Sequence, residues 1–148
     1  MSEVARPRPL VLLSSVSSDS HTWNLVFLQL LLEETGHDVV NVGACVPDEL
    51  LLSECVAHRP DAVVISTVNG HGHVDGRRLI ARLRADERLS GLPVVIGGKL
   101  GVGGGRDAGL ASELVAAGFD TVFADGADVR RFVGYIGSVL PARALEPA

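Results

Sequence analysis

Short, almost wholly apolar runs alternate along this chain with longer stretches whose apolar residues recur every three or four positions. The short runs are Leu10 to Leu13, Val39 to Val42, Ala62 to Ser66, Pro93 to Ile96 and Thr121 to Phe123, and each reads as a strand. Thr22 to Thr35, Pro47 to His58, Val74 to Asp86, Asp107 to Ala117 and Ala127 to Leu140 read as helices. Pro47 suits a first helical position, and Gly36 and Gly118 stand where helices stop. Strands that are apolar throughout are buried on both faces, which implies a parallel sheet covered by helices on each side. Five strand–helix units predict an α/β, flavodoxin-like (Rossmann-like) sheet in the order 2-1-3-4-5. In that order ligands bind at the switch point between strands one and three.

Composition narrows the class. The 148 residues make one domain, taken as 9–140, with an N-terminal extension at 1–8 and a tail at 141–148. The net charge of −5 comes without a long basic run, so neither nucleic acid nor an anionic membrane is expected as partner. No stretch approaches the roughly 20 apolar residues of a membrane span. The first nine residues hold no apolar signal core, which points to a cytoplasmic protein. Cys45 and Cys55 then read as reduced core residues.

Three loops at expected strand ends carry the candidate chemistry. After the first strand comes Ser17-Ser18-Asp19-Ser20-His21-Thr22-Trp23-Asn24. Here the Asp19 carboxylate has the spacing to hold one imidazole nitrogen of His21 and aim the other at a metal. The same residues would also serve as an ordinary helix start, with Asp or Ser as cap. After the third strand comes Ser66-Thr67-Val68-Asn69-Gly70-His71-Gly72-His73, where hydroxyls meet a ligand or merely shape a turn. His71 and His73 raise a zinc reading, but of possible further ligands only Asp75 stands nearby. After the fourth strand, Gly97-Gly98-Lys99-Leu100-Gly101 opens a glycine-rich loop that runs to Gly105. It fails the P-loop spacing, since Pro93 stands where glycine is needed and Leu100 follows Lys99. Close backbone approach to a bulky ligand and a plain surface loop both remain open for it. No G-x-S-x-G occurs, and Ser66-Thr67 occupy the place of a receiver's phospho-accepting Asp.

Together, Asp19-x-His21, Ser66-x-Val68 and Gly97-Gly98 resemble the D-x-H-x-x-G, S-x-L and G-G signature of cobalamin-binding domains. The resemblance extends over roughly residues 9 to 140 and is strongest to the small subunits of glutamate (methylaspartate) mutases. It includes Val39-Val40-Asn41-Val42-Gly43, the Gly70-x-Gly72-x-x-Asp75 run and Gly118-Phe119-Asp120. It implies an adenosylcobalamin cofactor bound base-off, with His21 as lower axial ligand to cobalt and Asp19 on its distal nitrogen. It further implies that Ser66 meets the dimethylbenzimidazole of the nucleotide tail and that Gly97 and Gly98 leave room for that tail. Ser20, Thr22, Trp23, Asn24, Val68, Gly70 and Lys99 fall in the same binding segments. No catalytic residue is assigned to this chain. A larger barrel-type catalytic subunit is implied as partner, with the pair isomerising glutamate to 3-methylaspartate, or a related acid, through an adenosyl radical. The alternative is a stand-alone cobalamin module, a sensor or a methyl-transfer carrier. The sequence departs from the signature twice, with Asn24 in place of its final glycine and Val68 in place of its leucine. Trp23 is open to packing on the cofactor, on the partner or in the core.

Overall fold

A computed structural model of the chain describes residues 8–101, 108–124 and 128–140. The elements are β1 (Leu10–Ser14), α1 (Trp23–Glu34), β2 (Asp38–Gly43), α2 (Asp48–His58) and β3 (Ala62–Thr67), then α3 (Gly72–Ala85), β4 (Val94–Gly98), α4 (Ala108–Ala117), β5 (Thr121–Ala124) and α5 (Val129–Val139). The strands form one parallel sheet in the order β2-β1-β3-β4-β5. The expected fold class and strand order are therefore the observed ones. The tail at 141–148, most of the N-terminal extension and the loop residues 102–107 lie outside the described residues, as do the expected helix starts at Asp107 and Ala127.

Alternate residues of each strand feed two cores. Leu12, Val63, Ile65, Val94 and Ile96 pack with Leu51, Cys55, Leu79, Ile80, Leu83 and Leu114 beneath α2, α3 and α4. Val11, Leu13, Ala62 and Val64 face the other way, onto Leu25, Leu32, Phe132 and Ile136 of α1 and α5. Phe123 of β5 meets Phe132 edge-on, with ring centroids 5.6 Å apart. Burial on both faces accounts for the uninterrupted apolar runs.

The structure corrects several local expectations. Gly97 and Gly98 are not in a loop but are the last two residues of β4, paired with Ser66 and Thr67 of β3. Pro47 is the N-cap of α2, with φ −63° and ψ 148°, and not its first helical residue. Only Cys55 is a core cysteine; Cys45 is exposed and adopts φ 52°. Burial pushes the Cys55 thiol up to about 12, with Glu54 adding to the shift.

Gly98 is required where it stands. Its φ is +109°, and a Cβ there would lie 2.0 Å from the Thr67 carbonyl oxygen. A Cβ on Gly97 would lie 3.0 Å from the Phe123 carbonyl oxygen. These glycines thus let β3, β4 and β5 close at the sheet end that carries the loops, and Lys99 N–H donates to Thr67 O at 2.8 Å just beyond. Gly98→Ala is expected to cost about 2 kcal/mol or more in urea denaturation, combining steric overlap with a disfavoured φ.

Candidate functional site

The chain leaves β1 through an irregularity between Leu13 and Ser14, where β1 slips against β2. Asp19 N–H then donates to Val16 O at 3.1 Å, and Cys45 N–H to Asp19 O at 2.8 Å. These bonds fold the loop back over the sheet end and bury Asp19 completely. One carboxylate oxygen, Oδ1, accepts from His21 N–H at 3.0 Å and pairs with His21 Nδ1 at 2.7 Å. The other, Oδ2, accepts from Thr67 Oγ1 and from Val68 N–H, both at 2.7 Å. Burial by itself would raise the Asp19 pKa. The hydrogen bonds outweigh it, led by His21 N–H and Thr67 and followed by Val68 N–H and the His21 ring, and hold it at about 2.

An ionised carboxylate only accepts, so Nδ1 of His21 carries a proton, and in the neutral imidazole the lone pair is then on Nε2. The His21 side chain is 59% exposed whereas that of Asp19 is fully buried, so the imidazole emerges into solvent from a fixed base. Asp19 is thus not a helix cap: Thr22 holds the cap position of α1 and makes no side-chain capping bond. Asn24 is helical, which removes a left-handed backbone as the reason for the signature's glycine. Its Nδ2 donates to Ser66 Oγ at 2.8 Å, joining the first turn of α1 to β3. Ser20, Thr22 and Lys99 are exposed, and Trp23 is 82% exposed, which overturns core packing for that side chain. Gly70 turns the loop after β3 with φ 88°. The first two loops therefore meet at the switch point. Gly97 and Gly98 at the end of β4 and Lys99 just beyond it reach the same sheet end, and 102–105 lie outside the described residues.

Several partners were not singled out from the sequence. Thr67 bonds Asp19 directly. Ser18 donates to Asp75, and Asn69 Nδ2 donates to Ser18 O at 3.1 Å. Arg78 joins this loop to two helices, donating to Ser17 Oγ at 3.0 Å, to Asp75 Oδ1 at 3.0 Å and, through two nitrogens, to Asp48 at 2.7 and 3.2 Å. Those bonds, to Asp48 first and then Asp75, hold the guanidinium firmly protonated. The one sequence signal was Asp75 in its glycine run. His73 instead pairs with Glu113, Nε2 to Oε1 at 2.9 Å, and among the described residues no group of three or more His, Cys, Asp or Glu is assembled for a metal ion.

Two buried oxygens near these strand ends, Ser15 Oγ and Asn24 Oδ1, have no hydrogen-bond partner among the described residues. Stranded polar atoms, an imidazole held by one nitrogen and backbone-tight glycines at adjoining strand ends fit a bulky polar ligand with a histidine-bound metal.

The chain is similar to known proteins in sequence and in fold. The B12 binding domain family matches residues 9–131. The glutamate mutase sigma subunit of Treponema denticola is 30% identical over 142 residues, covering 95% of this chain and all of that one. The glutamate mutase sigma subunit of Halobacterium salinarum is 32% identical over 117 residues, covering 78% of this chain and 76% of that one. In fold, the chain is similar to a cobalamin-binding protein from Desulfitobacterium hafniense, with TM-score 0.73 at 20% identity. That match covers 90% of this chain and 59% of the other. A Francisella response-regulator receiver domain shares the fold at TM-score 0.65 and 20% identity, over 88% of this chain and 95% of that one.

Asp19 sets an acid limit on the fold. Its folded pKa of about 2 lies below the usual 3.8, so its contribution is complete above about pH 4 and is lost as pH falls through 2. The shift corresponds to about 2 kcal/mol. Acid denaturation of Asp19→Asn is expected to lose this component, and the variant is also expected to be less stable at pH 7, because an amide NH₂ would face donors.

Proposed function

The chain belongs to the B12 binding domain family, and from that premise we propose that it is the cobalamin-binding small subunit of a glutamate-mutase-like isomerase. The observation that carries the reading is the buried, ionised Asp19 holding Nδ1 of an exposed His21. His21 Nε2 would ligate the cobalt of the cofactor, with Asp19 fixing its tautomer and direction. Ser66 would meet the tail base, with Val68, Gly70, Gly97, Gly98 and Lys99 available to border the tail and the exposed Ser20, Thr22 and Trp23 beside the ligating histidine. In its adenosyl form the cofactor supplies a cobalt–carbon bond that cleaves homolytically. This chain orients the metal ligand and adds no acid or base of its own. Support for that division comes from the charges at the strand ends. Asp19, Asp75, Asp48 and Arg78 are committed to protein partners.

Substrate groups then reside on a larger, barrel-type subunit that also shields the upper corrin face from water. A surface for such a subunit supports this. Trp23, Val26, Phe27 and Leu30 recur at helical spacing on α1 and are all exposed, opposite the buried Leu25 and Leu32. This stripe starts two residues from His21, where a subunit covering the cofactor would reach it. We place the pair in the cytoplasm, a reading supported by the two free cysteines.

Binding of cob(II)alamin followed by paramagnetic resonance tests the ligation. The expected result is a cobalt–nitrogen splitting that changes from three lines to two when the protein's histidines carry nitrogen-15, a change lost in His21→Ala, with affinity falling by at least about 10-fold. An unchanged spectrum and affinity would refute the assignment. Mixing the chain with a glutamate-mutase-type large subunit and adenosylcobalamin is expected to convert glutamate to 3-methylaspartate, with no turnover by either chain alone. Trp23→Ala combined with Phe27→Ala is expected to weaken that assembly about 10-fold or more in analytical ultracentrifugation.

A further inference from the structure

We infer, resting on the cobalamin reading above, that Arg78 is a positioning residue for corrinoid capture. It clamps the outer side of the loop at 17–21, holds His21 in its ligating position before the cofactor arrives, and so sets the rate of binding. Arg78 lies outside every segment assigned to the cofactor. The loop itself has little to hold it. None of its five residues is apolar, and only Asp19 is buried. Its shape therefore depends on polar bonds. Asp19 supplies the inner set, and the outer set converges on Arg78 of α3. Nη2 of Arg78 donates to Ser17 Oγ at 3.0 Å. Nη1 donates to Asp75 Oδ1 at 3.0 Å, and the other oxygen of that carboxylate accepts from Ser18 Oγ. Nε and Nη2 grip Asp48, the first residue of α2, at 2.7 and 3.2 Å. The Asp48 and Asp75 side chains are nearly buried, so the fork is seated on fixed partners. One guanidinium thus ties two consecutive loop residues to the starts of two helices.

Every partner in this clamp belongs to the chain, so it needs no ligand to close. A bond made both before and after binding does not hold the cofactor; it spares the loop an ordering step. Without the clamp, the loop visits its ligating shape only part of the time, and association slows by that fraction. Dissociation is left nearly alone, because Asp19 and the bound cofactor then keep the loop in place. A lysine at 78 would keep the charge but has no planar fork to reach Ser17, Asp75 and Asp48 together. Loss of one such hydrogen bond corresponds to about 5-fold in the competent population, and loss of the fork to about 10-fold.

The test is stopped-flow mixing of the full chain with adenosylcobalamin, read by quenching of Trp23, the single tryptophan, which is exposed two residues from His21. The association rate constant is expected to fall about 10-fold in Arg78→Lys and about 5-fold in Ser17→Ala, which leaves both carboxylates paired. Both variants should release the cofactor within about 2-fold of the wild-type rate. Their cob(II)alamin complexes should keep the wild-type nitrogen-15 histidine splitting, since His21 still ligates. Hydrogen exchange at 17–21 should be faster in the free variants than in the free wild type, and equal in all three with cofactor bound. Ser17→Ala decides the matter where urea denaturation shows that Arg78→Lys has lost its fold. Unchanged association in either variant would overturn the inference and leave the cobalamin function standing. Faster release at an unchanged association rate would do the same, since Arg78 would then serve the bound state. Failure of the wild-type chain to bind adenosylcobalamin would bring down the cobalamin reading and this inference together.

Discussion

Asp19 is fully buried and ionised, and a buried charge persists only where hydrogen bonds replace the water it has lost. Here the donors come from both sides of the switch point. His21 supplies its N–H and its ring from the loop after β1, while Thr67 and Val68 supply a hydroxyl and an N–H from the end of β3. The carboxylate therefore ties β1 to β3 beyond the point where their ladder stops. Loop geometry and imidazole orientation have a single cause. Neither is set by the helix start that follows, because Thr22 makes no capping bond.

Arg78 reinforces the same loop from outside. Its guanidinium spans Ser17, Asp75 and Asp48, and the Asp48 side chain is only 6% exposed. Arg78 itself is 45% exposed, so each pair adds little free energy. Its value lies in geometry. A planar fork with several donors fixes the distance between the loop and the starts of α2 and α3 more tightly than a lysine would. Asp19 anchors the inner side of the loop and Arg78 the outer side, and His21 projects between the two anchors.

The strand order was legible because it follows from a local property, apolar runs too continuous for a sheet with one wet face. Element ends were less legible. Gly97 and Gly98 look like loop residues because glycine is poor in strands, yet they complete β4 since only a missing Cβ lets it approach Thr67 and Phe123 so closely. Core packing was one of three readings open for Trp23, but Leu25 and Leu32 already occupy the buried face of α1 and leave it outside. At the site, Asp19 and His21 were legible because their bond is local. Thr67, Asp48 and Arg78 were not, since their bonds join residues 30 to 61 positions apart that only the sheet order brings together. Asn24 stood out as a departure from a pattern, but its bond to Ser66 required the fold.

The same parallel sheet carries receiver domains, so the fold does not choose the function. The choice is made at two strand ends. β3 ends in Ser66 and Thr67 and offers hydroxyls where a receiver needs a carboxylate. The carboxylate this chain does have, Asp19, has about four lone-pair sites, and four protein donors fill them. It has no oxygen left to ligate a divalent ion or accept a phosphoryl group. Its charge reaches a ligand only by way of the imidazole, as added basicity and fixed direction at His21 Nε2. A saturated carboxylate behind an exposed histidine is therefore an arrangement that presents one imidazole nitrogen outward. On the reading proposed above, chemistry beyond that presentation would come from the bound group and not from this carboxylate.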